Sequence, residues 1–408
     1  MRLALVGTGG QAGGDVPEIA RHPAVKVVAV CDPDLKNRSR FGENYEVPET
    51  QWYGDYKQLL DGMRGKIDAV FCATPDHMHA PVGLAALEND LHLYIQKPLA
   101  RGVGECRALA KAAARKPRLA TQMGIQIHGE AAYRTAVAWL RAGVIGRAVE
   151  VHTFCGKGWG GLIPAKPADP IPPHLDWETY CGVAPTVPYN DGYYHPGNWR
   201  RWQNFGTGTL GDMGCHILDP VFGGLEFVGA RSVVSNLEGP PRPENHPYNA
   251  HVTWEMEATR QTKGRIRMHW YHGDTRPDPS ILPGNEIPNT GSVVIGELGR
   301  MVIPHWAIPT VYGPDNRKRT DLPAVEKNEN HYHEWVDVAE GRRRGPCGAN
   351  IAYAAALTET VLLGNIASWQ RGRVLRWDHR RCRFFGPGSD EANSRRLPEY
   401  RSGTRIEF

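Results

Sequence analysis

The sequence predicts an α/β chain with an N-terminal doubly wound parallel sheet of Rossmann type. A C-terminal α+β domain with a large, mostly antiparallel open sheet is expected to follow. Three observations carry this expectation. At 408 residues the chain exceeds what one ordinary core supports. Its first part alternates short apolar runs with helical stretches, the mark of βαβ units. Beyond residue 230 several runs alternate with period two, as antiparallel strands with one covered face do.

Strands of the first domain are expected at 2–6, 25–31, 69–73, 92–95 and 118–121, with helical stretches around 16–21, 56–63, 82–89 and 104–116. The run Ala69-Val70-Phe71-Cys72-Ala73 is apolar on both faces, as a sheet covered on both sides requires. The pattern stops near Gln122, dividing the chain into residues 1–122 and 123–408. The second part opens with a helix at 130–142, ended by Gly143, and a strand at 148–154. Residues 155–208 are rich in Gly, Pro and Trp without any period, and a loop of that length marks function. Further strands are expected at 232–237, 251–258, 265–271 and 292–295, and a helix at 350–369 with Gly372 past its end.

Hydrophobic residues form 41% of the chain and charged residues 23%, the balance of a globular protein. A net charge of +4 is mild for this length, and the one basic run, Arg342-Arg343-Arg344, reads as a solvated helix end. Nucleic acid is therefore not an expected partner. No apolar run approaches the roughly 20 residues of a membrane helix, so no membrane partner is expected either. Eight cysteines without a Cys-x-x-Cys pair read as reduced thiols. Met1-Arg2 runs straight into Leu3-Ala4-Leu5-Val6 with no signal-peptide pattern, so the expected compartment is the cytoplasm, or the periplasm if a leader was removed.

Gly7-Thr8-Gly9-Gly10-Gln11-Ala12 follows the first strand, precedes a helical stretch and fits G-x-G-x-x-[G/A]. Glycine is needed where the chain turns sharply and where backbone approaches a pyrophosphate, which a helix N-terminus then faces. The second strand ends at Asp32, about 20 residues past the glycines, where NAD binders hold a ribose diol. Its charge repels the 2′-phosphate of NADP, so NAD is the expected cofactor; Arg38 and Arg40 stand near enough to soften that preference.

More specific are the runs Ala73-Thr74-Pro75-Asp76-His77-Met78-His79-Ala80 and Tyr94-Ile95-Gln96-Lys97-Pro98-Leu99. With the opening glycines, Gly211-Asp212-Met213-Gly214-Cys215-His216 and Asn330-His331-Tyr332-His333-Glu334-Trp335, they resemble the Gfo/Idh/MocA oxidoreductase family over nearly the whole chain. The tract 199–219 is similar to one subgroup of it. The resemblance implies redox chemistry on a carbohydrate or polyol, and assembly as a homodimer or tetramer. It implies that Lys97 positions the substrate hydroxyl, and that Asp212 and His216 are the family's spaced Asp-x-x-x-His pair. Four residues apart, those two share one face if the segment is helical. His216 is then the general base, with Asp212 orienting it or binding an adjacent hydroxyl. Thr74 and Pro75 are expected to border the nicotinamide, with His77 facing it and Gln96 beside it. Gln96 stands where the family usually has Glu, which removes a carboxylate from that neighbourhood.

Aromatic faces stack on sugar C–H faces while polar groups bond hydroxyls, so the irregular segment suits a polyol, with Trp199 and Arg200 as its preferred contacts. Gln126 and His128, at the domain junction, and His331 further along are the other expected substrate contacts. No metal is expected, because adjacent Cys215-His216 is not a structural-zinc spacing. Three functions compete: an NAD-dependent dehydrogenase of a sugar, polyol or glycoside; a redox-neutral NAD-dependent glycoside hydrolase or lyase working through a transient 3-keto sugar; and a non-catalytic, cofactor-binding sugar sensor.

Overall fold

Apolar runs near the start of the chain become β1 (Arg2–Val6), β2 (Lys26–Cys31), β3 (Trp52–Tyr53), β4 (Ala69–Cys72), β5 (His92–Gln96) and β6 (Thr121–Gly124). They form one parallel sheet in the order β3-β2-β1-β4-β5-β6. The crossovers carry α1 (Ala12–Ala20), α2 (Leu35–Asn44), α3 (Tyr56–Gly62), α4 (His79–Glu88) and α5 (Val103–Ala114). Alternate side chains feed two cores: Leu3, Leu5 and Phe71 enter one buried cluster, Ala4, Val6 and Val70 the other. That division explains why these strands read as apolar throughout. The computed structural model describes residues 1–161, 163, 166–236 and 244–404.

β6 lies three residues beyond its expected position at 118–121. Thr121-Gln122-Met123-Gly124 looks polar, yet all four residues are buried, and the Gln122 amide donates to the His331 carbonyl. A tertiary partner hides that strand from any apolar pattern, and the sheet runs through the expected boundary at 122.

The rest of the chain comprises α6 (Ala131–Arg141), β7 (Ala148–Cys155), α7 (Trp177–Cys181), α8 (Gly208–Gly224), β8 (Ala230–Ser235), β9 (Ala250–Met256), β10 (Thr262–His272), β11 (Thr290–Gly296), β12 (Gly299–Pro304) and β13 (Thr310–Tyr312). It ends with α9 (His331–Ala339), α10 (Ile351–Ala367), β14 (Leu375–Asp378), β15 (Arg383–Phe385) and α11 (Ser389–Ser394). Nine strands pair in the order β13-β12-β11-β7-β10-β9-β8-β14-β15. Only β7 and β10 run parallel; the other pairings are antiparallel. Leu237, at the end of one expected strand, and Leu162, Pro164 and Ala165 in the irregular segment lie outside the described residues.

One face of this sheet buries Trp254, Met268 and Trp270 against Ile217 and Val221 of α8 and Leu357 and Val361 of α10. Late segments also return to the first sheet. Asn330 caps α9 by accepting from the backbone N–H groups of Tyr332 and His333, and α9 then sinks Trp335 and Val336 into the core that holds Leu3 and Phe71. Residues past α11 lie on α5, where the Tyr400 hydroxyl donates to Glu105 at 2.6 Å. Among the described residues no helix is long and apolar enough to cross a membrane.

Candidate functional site

The strand order of the first sheet reverses between β1 and β4, the crevice where open α/β sheets take ligands. Gly7 turns there with φ +82°, and a Cβ on it would lie 2.6 Å from backbone atoms of Ala73 and Thr74. Only glycine fits. Gly10 follows at φ +45°, and α1 begins at Ala12 with its N-terminus facing the crevice. Gly7, Gly9, Gly10, Gln11, Asp32, Thr74, Pro75, Gln96 and Lys97 all line one cleft. Asp32 accepts from the backbone N–H groups of Thr8 and Asp34 at 2.8 and 2.9 Å, while burial pushes its carboxyl pKa up. A turn with glycine at positions 7, 9 and 10 beside a carboxylate held in place fits NAD: pyrophosphate over the glycines, ribose diol on Asp32. Arg38 and Arg40 are tied to the Asp32 and Thr8 carbonyls.

Two expected cofactor contacts are not brought into this cleft. Ala12 is buried in the first turn of α1, backing the glycines. His77 is turned away: its Nε2 lies 3.0 Å from the Tyr180 carbonyl, its ring packs on Phe205, and burial lowers its pKa to about 3. Gln96 sits at the cleft wall. Its amide N–H donates to the buried Asp15 carboxylate, which also accepts from Gln11 and the Tyr332 hydroxyl, each at 2.8 Å. The carboxylate missing from position 96 thus stands one hydrogen bond away, on α1. Sequence reading had no means of finding Asp15, which is 81 residues from its partner.

Lys97 leaves the end of β5 and reaches α8. Its ammonium donates to the Asp212 carboxylate at 2.7 Å and to the Asp212 carbonyl at 2.8 Å. Arg200 Nε and Trp159 Nε1 complete the shell of that carboxylate at 3.2 and 2.8 Å. Burial alone would raise the Asp212 pKa, but Lys97 and Arg200 win and hold it well below the usual range. The expected pairing of Asp212 with His216 is therefore replaced: Asp212 fixes Lys97. Thr207, the residue that opens α8, donates to buried Asp76 at 2.6 Å, pinning the helix to the loop after β4. Asp76 is itself pushed up to about 7 by burial.

His216 lies one turn past Asp212 on α8 and is buried. Burial, then the charges of Lys97 and His305, lower its pKa well below the ordinary histidine value, leaving a neutral imidazole at neutral pH. His305, unforeseen from sequence, stands 6.0 Å from it ring to ring, held by the Tyr133 hydroxyl at 2.9 Å, with exposed Trp306 beside it. His305 follows directly on β12, where no motif marked it.

The expected substrate contacts divide. Trp199 and Arg200 line the cleft, the guanidinium 4.2 Å above the indole. His128 lies 3.0 Å from Asp219, one further turn along α8 on the His216 face, and Gln126 opens the short turn before it. His331 is not at the cleft. It is a core histidine, 3.1 Å from the Met123 carbonyl and edge-on to Tyr94, lowered to about 3 by burial.

The irregular segment closes over the cofactor side. Asp34 holds His174 at 3.0 Å and His195 at 3.1 Å, the Leu35 N–H donates to the His174 carbonyl, and Tyr180, His195, Pro196 and Gly197 line the cleft opposite the glycines. Trp177, Tyr180, Tyr194, Trp202 and Phe205 form the small core that supports this strap. A larger cavity, about 970 Å3 between Arg101, Asn204, Trp369 and the C-terminal segment, shares none of these side chains.

Comparison with known proteins identifies the two domains. Residues 1–124 match the description "Oxidoreductase family, NAD-binding Rossmann fold" and residues 143–275 match "Oxidoreductase family, C-terminal alpha/beta domain". A glycosyl hydrolase family 109 protein of Shewanella pealeana is 26% identical over 205 residues, covering 43% of this chain and 44% of the relative. A levoglucosan dehydrogenase of Pseudarthrobacter phenanthrenivorans is 27% identical over 199 residues, covering 48% of this chain and 41% of the relative. The match thus spans less than half the length of either relative. The aldose-aldose oxidoreductase of Caulobacter crescentus shares the fold, with TM-score 0.62 and 16% identity over 92% of this chain and 99% of that one.

Proposed function

Because this chain belongs to the Gfo/Idh/MocA oxidoreductase family, we propose that it uses NAD to oxidise, or in reverse to form, a secondary hydroxyl of a sugar, polyol or glycoside. The observation that carries the reading is the Lys97–Asp212 pair at the glycine cleft, with a neutral histidine one turn further along the same helix. NAD, when bound, supplies the hydride acceptor. An ammonium has three donors; two go to Asp212, and the third holds the substrate hydroxyl oxygen. His216 takes the hydroxyl proton as the carbinol hydride leaves, so a C=O bond forms and charge balances. Arg200 and Trp199 hold further hydroxyls and ring faces, and Trp306 offers a stacking surface. Assembly as a homodimer or tetramer and a reducing, cytoplasmic setting belong to the same reading, in keeping with cysteines that are all unpaired.

A second reading is favoured by one observation, the strap that Asp34 pins across the cofactor side. A retained NAD suits a redox-neutral cycle in which hydride removed from a sugar C3 is returned after elimination across C2 and C1. Purification without added cofactor, followed by mass spectrometry of the denatured protein and assay against sugars and chromogenic glycosides, tests both. NADH accumulating with a free sugar supports the dehydrogenase; glycoside cleavage on bound NAD with no net NADH supports the second reading. Absence of NAD binding by calorimetry contradicts both.

A further inference from the structure

The sheet face turned away from α8 and α10 carries side chains that redox chemistry does not use. Glu150 and His152 are successive outward residues of β7, and β10 sets His269 level with His152. One donor atom from each of the three lies within 4.8 Å of the other two. Glu150 approaches His269 Nε2 at 3.1 Å and His152 Nε2 at 3.8 Å. The two imidazoles stack 4.7 Å apart and 9° from parallel.

Their far nitrogens are held by hydroxyls: His152 Nδ1 lies 3.2 Å from Tyr271 and His269 Nδ1 2.9 Å from Thr253. Both histidines are more than nine-tenths buried, and His152 Nε2, facing the carboxylate, is buried without a hydrogen-bond partner. A buried polar atom left unpaired is costly. We propose that Glu150, His152 and His269 bind a divalent late transition-metal ion, zinc by preference, through one carboxylate oxygen and the two Nε2 atoms.

Two imidazoles and a carboxylate are a donor set that zinc takes with an open position left over. Tetrahedral bonds of about 2.0 Å separate ligand atoms by about 3.3 Å, so donor atoms that now lie within 4.8 Å of one another close by up to about 1.5 Å. Hydroxyl partners on the outer nitrogens leave the inner lone pairs free, and the two near-parallel rings must tilt toward each other for those lone pairs to meet at one ion. Arg267, 3.2 Å from Glu150, is largely exposed and is a weak rival for that carboxylate. Glu150 and His152 stand two apart on one strand, and His269 reaches them only through sheet register.

The test reads metal binding and makes no use of the redox reaction. Chelator-stripped full-length protein is titrated with zinc sulfate against a chromophoric chelator, and with cobalt(II) to read visible bands of a nitrogen–oxygen site. The expected result is one ion per chain at micromolar zinc or below, weakened at least ~10-fold in both H152Q and E150Q, with NAD affinity unchanged. Tyr271→Phe, which keeps all three ligands, should weaken binding less than either and covers the case in which H152Q misfolds. No zinc taken up by the wild type at micromolar concentration overturns the proposal. Zinc affinity in H152Q or E150Q equal to wild type overturns it too.

Discussion

Lys97 donates to both the side chain and the backbone of Asp212, so its position is fixed before any substrate arrives. Lys97→Met should lower kcat/KM by about 10²- to 10⁴-fold, the span of general acid–base contributions, with NAD affinity nearly unchanged; steady-state rates and calorimetry check this. His216 should titrate below the ordinary value, because burial and then Lys97 and His305 disfavour its charged form. The acid limb of kcat/KM is therefore expected below pH 6.5, and a limb at about 6.5 would remove His216 as the base. Gln96 and Asp15 form a donor–acceptor pair, so Q96E should set two buried carboxylates together and cost about 2–4 kcal/mol. The double variant Q96E/D15N should recover most of it in thermal denaturation. Lys97, Asp212 and His216 were legible because their motifs are short and contiguous. Asp15 and Trp159 were not, because their role depends on which distant residue the fold brings to them.

At the scale of elements, the glycine turn and the strap act from opposite sides of the cleft. The turn was readable, since G-x-G-x-x-[G/A] between a strand and a helix has one structural context. The strap was readable only as a long irregular stretch; its docking on Asp34 was not. Replacing Asp34 with Ala frees both His174 and His195. Loss of two such half-buried contacts, about 0.5–1.5 kcal/mol each, should speed NAD dissociation at least ~10-fold, which stopped-flow displacement measures. An unchanged rate would mean that the strap does not hold the cofactor in. α9 shows the converse case: His331 was expected to contact substrate, yet it turns into the core beside Trp335 because that helix covers the first sheet.

The whole molecule carries many histidines buried neutral. His77, His272 and His331 are lowered to about 3 and His79 and His246 to about 4, each chiefly by burial. In the unfolded chain these rings titrate near 6.5. Below that pH the unfolded state binds more protons than the folded one, so stability falls as pH drops from about 6.5 toward about 4. Each ring contributes up to ~1.4 kcal/mol per pH unit across that window. Thermal scans should show Tm dropping steeply between about pH 6.5 and 4.5; a flat Tm across that range would contradict the burial of these rings.

The α/β fold class with its two sheets and the glycine turn followed from the sequence alone, as did the motifs that carry Lys97, Asp212 and His216, because periodicity and contiguous motifs are local properties. Tertiary structure alone decided that Asp212 serves Lys97 rather than His216, that His77 and His331 leave the site, and that late segments finish the first core. It likewise set Glu150 and His152 beside His269. Each of those outcomes depends on a contact between residues far apart in the chain, and such contacts are set by packing and register, which no local pattern records.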